Sequence, residues 1–132
     1  MQDAGHLVYL SFAKGASMAT DPKNQGPVEQ IAKFTIGQAS AATVFIPTRG
    51  RKNSVINVDK NGDSVTIESS IDVRKADGSI ITDIEDSDMI YTEIDSGTTD
   101  FLAGDNKGVT AYKVQKIDTN SAVRVSITQY ND

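Results

Sequence analysis

His6 is the only histidine in the chain, so a serine-type nucleophile would have one imidazole to draw on. That imidazole sits in a stretch with no sustained periodicity, and a triad is not expected. The same shortage removes histidine-based zinc and iron sites, and with no cysteine there is no thiolate ligand, cysteine nucleophile or disulfide. What remains for a metal is oxygen ligation. Asp59, Asn61 and Asp63 stand at alternate positions, as the first three ligands of a calcium loop do. The match then fails: Ser64 falls where that loop needs glycine, and Ser70 where it needs a bidentate glutamate. The competing reading, a turn built by Asp and Asn side chains, fits better. No cofactor is expected.

Arg49, Arg51 and Lys52 flank Gly50 and form the one compact basic group, suited either to an anion or acidic surface or to a solvated loop. Acids are abundant, notably over residues 83–88, but nothing singles out two that would share a cleft for glycoside hydrolysis. There is no tryptophan, and two of the eight aromatics fall in the first dozen residues, so the stacking platform of most sugar-binding sandwiches is missing. An enzyme is not expected.

Charge is divided unevenly. Residues 1–66 carry seven basic and five acidic side chains, a balance of +2, and residues 67–132 carry six and thirteen, a balance of -7. Phosphate binding needs a broad basic surface, so nucleic acid is not the expected partner. Unlike ends suit contact with another protein or between copies. The apolar run at residues 7–12 is too short to cross a bilayer, and Lys14 follows rather than precedes it, so neither a membrane span nor a signal peptide is expected.

These side chains must be positioned by strands. Three runs, residues 64–74, 109–117 and 122–128, alternate apolar with polar side chains, the period of a sheet with one dry face. Residues 41–47 form a further β-prone run ended by Pro47, which cannot donate to a ladder. Asn61-Gly62 and Asp77-Gly78 read as hairpin turns, pairing residues 54–58 with the strand after them and dividing residues 73–84. In the first long run Val65, Ile67, Ile71 and Val73 share a face, with Ser69 marking a bulge or a close neighbour. Tyr112, Val114 and Ile117 share one in the second, and Val123, Val125 and Ile127 in the third. The last two runs are expected to pair antiparallel. No stretch longer than ten residues carries a helical stripe. The expected architecture is all-β, an antiparallel sandwich of jelly-roll or Greek-key type spanning residues 31–132. It follows an N-terminal arm, residues 1–30, rich in Gly and Ala.

The segment GVTAYKV at residues 108–114, a short polar turn, and SAVRVSITQ at residues 121–129 resemble the closing hairpin of small virion proteins from tailed bacteriophages, in which a glutamine often ends the last strand. The resemblance covers about a third of the chain. It implies a capsid cement or decoration protein on the outer capsid surface, a homo-oligomer, with a trimer favoured, whose partner is the major capsid protein. The other readings are a head-tail, tail or fibre component, or a surface adhesin module with calcium near Asp59. Val8, Tyr9, Leu10 and Phe12 are the expected anchors of the arm, being its only concentrated apolar surface.

Overall fold

The computed structural model describes residues 28–49, 53–105 and 108–130. Eight strands run in order: β1 (Val28–Ile36), β2 (Thr43–Pro47), β3 (Asn53–Asp59), β4 (Val65–Ser70), β5 (Thr92–Asp95), β6 (Phe101–Asp105), β7 (Ala111–Lys116) and β8 (Val123–Tyr130). They form two four-stranded sheets, β1-β8-β3-β6 and β2-β7-β4-β5, with every neighbouring pair antiparallel. The chain is an all-β sandwich. Residues 28–30, assigned from sequence to the arm, are the first three of β1 and pair with Tyr130, Gln129 and Thr128.

The core is what the alternation demands. Val44 and Ile46 of β2, Ile56 and Val58 of β3, Val65 and Ile67 of β4, Tyr112 and Val114 of β7, and Val123, Val125 and Ile127 of β8 are buried in one cluster. Each such aliphatic side chain contributes about 1.5–3 kcal/mol by leaving water. In β1 the register shifts between Gln30 and Ala32, so that Ile31 and Ala32 are both buried although adjacent.

Two pairings expected from sequence are overturned. The Asn61-Gly62 turn exists, with φ of 52° and 83° and a 2.8 Å bond from Asp63 N–H to Lys60 C=O, but it does not join partners. β3 lies in one sheet, with β8 and β6 occupying both its sides, and β4 lies in the other, between β7 and β5. The turn is an arch between layers. Likewise β7 and β8, the supposed closing hairpin, face each other from different sheets. Every connection crosses the sandwich except β4 to β5, which stays in its sheet by way of residues 71–91. Alternation decides which face of a strand is dry, not which strand lies beside it.

Two further expectations fail at strand ends. Ile71 and Val73 do not continue the buried row of Val65 and Ile67, because β4 ends at Ser70 and both side chains are exposed. In β7 the third inward position is filled by Lys116, while Ile117 is exposed. The Asp77-Gly78 turn does close a small hairpin, held by the Arg74–Ile80 bridge and a 2.9 Å bond from Ile81 N–H to Val73 C=O. The left-handed φ of Gly62 makes Gly62→Ala costly although open space surrounds the position; about 1 kcal/mol is expected, and urea denaturation reads it.

Candidate functional site

Registers place four arches, residues 37–42, 60–64, 96–100 and 117–122, at one end of the sandwich. Two buried lysines close that end. Lys116 donates from Nζ to Asp63 Oδ2 at 3.0 Å, to the Asp118 carbonyl at 2.5 Å and to the Gln38 carbonyl at 3.1 Å, and neither Lys116 nor Asp63 has any exposed side-chain surface. Asp63 also accepts from Ser64 N–H on one oxygen (2.7 Å) and from Asn120 and Ser121 N–H on the other (both 3.1 Å). Burial pushes the Asp63 carboxyl up, but the Ser121 N–H and the Lys116 ammonium outweigh it and hold it below its ordinary value. The second lysine, Lys60, donates to Asp95 Oδ2 at 2.5 Å and the Gly97 carbonyl at 3.1 Å, while its own N–H bonds Asp100 Oδ1 at 2.8 Å.

The acidic residues singled out in the sequence are committed to the fold in the same way. Asp59 is bound by Arg124, through Nε at 3.1 Å and through a second guanidinium nitrogen, and this contact holds its carboxyl below the usual range. Asn61 is the first residue of the turn. The three calcium candidates therefore do not converge: Asp59 turns to Arg124, Asn61 to solvent and Asp63 to the interior. In the acidic run, Asp83 and Asp86 accept from Glu85 and Asp88 N–H at 2.9 and 2.8 Å, Asp88 accepts from Ala76 N–H at 2.8 Å, and Asp86 pairs with Lys75 at 3.2 Å. These carboxylates shape the excursion at residues 71–91. The N–H of Asp88 and the Lys75 ammonium hold the Asp86 carboxyl below its ordinary value. No group of three or more acids or histidines suited to a metal occurs among the described residues.

Of the basic trio, Arg49 is exposed and paired with Glu29 at 2.8 Å, with its N–H bonded to Gln129 Oε1 at 2.6 Å. Arg51 and Lys52 lie outside the described residues, as do Val8, Tyr9, Leu10 and Phe12.

What sequence reasoning missed is a difference between the two flanks. Both flanks have short or irregular edge strands: β1 carries its bulge and the exposed Lys33, β2 is five residues long and ends in Pro47, and β5 is four residues long with a register shift against β4. The β5/β6 flank differs in carrying exposed apolar side chains. Ile90 is 69% exposed and Leu102 67%, and Ile71, Ile90 and Ile94 line a groove of about 400 Å3 with Ser69, Ser70, Asp72 and Thr92. A polar hollow of about 390 Å3 lies on the outer face of the first sheet, where Lys33, Thr35, Asn57 and Ser126 surround the Asp59–Arg124 pair. Its three charged side chains, Lys33, Asp59 and Arg124, sum to +1, and its one carboxylate is committed to Arg124. The isoleucine groove exposes apolar side chains to water, and Ile71 gave a false signal in the sequence because its alternation matched the core row.

No protein-family model and no curated protein sequence matches this chain. Among solved structures it is similar to PliG of Aeromonas hydrophila, a periplasmic inhibitor of g-type lysozyme, at 12% identity and a TM-score of 0.38, covering 94% of each chain. It is also similar to a subunit of the disulfide-linked pili that form Bacillus endospore appendages, at 12% identity and a TM-score of 0.36, covering 82% of this chain and 92% of that one. A third likeness is to the capsular polysaccharide assembling protein CapF of Staphylococcus aureus, at 13% identity and a TM-score of 0.32, over 78% of this chain and 22% of that one. Likeness at this level carries no function from one protein to another.

Proposed function

We propose that this chain is a structural protein that works by burying surface against copies of itself and against other subunits, as a capsid cement or decoration protein of a virion does. The observation that carries the reading is the β5/β6 flank, where isoleucine and leucine side chains face water beside strand edges whose outer backbone groups have no neighbour among the described strands. An edge of that kind is a template for association unless it is covered. The titratable groups support the same reading, since the buried ones close the arch end of the sandwich and the acidic run shapes a loop. In this reading the outer shell built by the major capsid protein is the partner, the assembled form is a trimer, and residues 1–27 supply additional contact. Light scattering on the full-length protein tests it. A stable oligomer is expected at micromolar concentration, and a monomer at every concentration up to the millimolar range rejects the reading.

A further inference from the structure

Asn61 is the only asparagine in the chain that glycine follows, and the structure leaves that pair open to attack. We propose that Asn61 is a site of spontaneous deamidation, at which the folded protein converts to aspartate and isoaspartate and so changes both the charge and the backbone of the arch at residues 60–64. The reaction needs no second copy of the chain and stands apart from self-association.

The chemistry uses this chain and water alone. The Gly62 amide nitrogen, once its proton has passed to solvent base, attacks the side-chain carbonyl carbon of Asn61 and closes a succinimide ring. The bond from that carbon to the side-chain nitrogen breaks, and the nitrogen takes up a proton and leaves as ammonia. Water then opens the ring. Cleavage between the ring nitrogen and the former side-chain carbonyl gives aspartate, and cleavage on the main-chain side gives isoaspartate, with the chain running through the old side chain. Either product is ionised at neutral pH and adds one negative charge.

Three observations carry the assignment. First, Asn61 and Gly62 are both exposed, and nothing lies within 4 Å of the place where a Gly62 side chain would stand, so the approach to the nitrogen is unhindered. Second, neither the Gly62 N–H nor the Asn61 side-chain amide has a hydrogen-bond partner among the described residues; the bonds at Asn61 are made by its backbone, from its N–H to Asp59 Oδ1 at 3.2 Å and from Ser121 Oγ to its carbonyl at 2.7 Å. Third, two comparable pairs are protected. At Asp77-Gly78 the Gly78 N–H donates to the Lys75 carbonyl at 2.9 Å, and the Asp77 carboxylate accepts from Ser79 N–H and Oγ at 2.9 and 2.6 Å. At Asn120-Ser121 the Ser121 N–H donates to Asp63 Oδ2 at 3.1 Å. A nitrogen committed to an acceptor must give up that bond before it can attack.

The attack swings the peptide between Asn61 and Gly62 and so opens the Ser121 contact, which slows it by about tenfold, the worth of one ordinary hydrogen bond. The isoaspartate product places an extra backbone carbon between Lys60 and Asp63, whose 2.8 Å backbone bond closes the turn and whose side chains are both buried. The modification therefore loosens the end of the sandwich that these two residues close.

The full-length protein, incubated folded in mildly alkaline buffer and then digested, tests this by mass spectrometry, beside a sample kept in urea and the variants Gly62→Ala and Asn61→Asp. The Asn61 peptide is expected to gain about one dalton as NH2 gives way to OH, ahead of the Asn120 peptide, and to split into two chromatographic species. The Asp77 peptide is expected to stay single. Gly62→Ala, whose methyl group crowds the nitrogen, is expected to slow the gain at least about tenfold. The isolated isoaspartate form is expected to unfold at lower urea than the parent, while Asn61→Asp, which adds the charge without the extra carbon, keeps the parent's midpoint. No conversion in the folded protein overturns the proposal, and conversion in urea alone then assigns the protection to the hydrogen bonds of the turn. Earlier change at Asn120 or Asp77, or an unaltered rate in Gly62→Ala, overturns it too. Equal midpoints for the parent and the isoaspartate form overturn the effect on the arch.

Discussion

Asp63→Ala is expected to cost about 3–5 kcal/mol of folding stability, the range measured when one partner of a buried ion pair is removed and the other is left uncompensated. The Lys116 ammonium has no exposed surface, so the variant leaves a full charge in the interior with only the Asp118 and Gln38 carbonyls beside it. The same substitution strips three backbone N–H groups, those of Ser64, Asn120 and Ser121, of their acceptor. Since those donors belong to the arches at residues 60–64 and 117–122, the damage falls on two connections together. Guanidinium denaturation of parent and variant gives the difference directly. A loss below 1 kcal/mol would show that water reaches Lys116 when the carboxylate is gone.

Acid should reproduce part of that loss. The Asp63 carboxyl is held below its ordinary value in the folded protein, so the folded state binds its proton later than the unfolded chain does. The stabilisation is complete above the unfolded value of about 3.9 and disappears as pH falls through the lower folded value. Acid unfolding of the parent is therefore expected to begin below pH 4, and the Asp63→Ala variant should lose less additional stability over that interval.

The dry faces of the strands were legible in the sequence because alternation reports burial directly. Val65 and Ile67, Tyr112 and Val114, and Val123, Val125 and Ile127 all point inward as their period requires. Strand partners were not legible, and the Asn61-Gly62 turn shows why. A tight turn between two half-buried strands is compatible with a hairpin and with an arch, since both keep the apolar rows dry. The difference lies in Lys60 and Asp63, which flank the turn and point inward to Asp95 and Lys116. A charged residue next to a turn reads as solvated until its partner is known, and each partner here lies more than thirty residues away in sequence. Lys116 was hidden for the same reason: in the row Tyr112, Val114, Lys116 the third position is inward, but its chemistry pointed to Ile117 as the apolar member.

The surface was less legible than the core. Ile71 and Val73 continue the period of Val65 and Ile67 in the sequence, yet β4 stops at Ser70, whose hydroxyl accepts from Asp72 N–H at 3.2 Å while Asp72 accepts from Ile90 N–H at 2.6 Å. Those bonds accompany the turn of the chain out of the sheet, and Ile71 and Val73 are left exposed. An apolar side chain that follows the core pattern beyond the end of its strand is thus left exposed, which is visible only once the end is known.

The Lys60–Asp95 pair gives a second large effect, and one that depends on which partner is removed. Lys60 has no exposed side-chain surface, while the Asp95 side chain is 27% exposed. Removing Asp95 leaves an ammonium that cannot reach water and has only the Gly97 carbonyl at 3.1 Å; Asp95→Ala is therefore expected to cost about 3–5 kcal/mol. Removing the lysine instead leaves a carboxylate that solvent can rehydrate. Lys60→Met keeps most of the aliphatic packing and is expected to cost about 1–2 kcal/mol, the loss of hydrogen bonds to a charged group. Starting from Asp95→Ala, the additional change Lys60→Met should restore stability, because it removes the stranded charge that the first substitution created. Chemical denaturation of the two single variants and the double variant closes the cycle. Equal costs for the two single variants, or a double variant less stable than Asp95→Ala alone, would mean that the ammonium finds solvent through the arch end and that the lysine does not seal it.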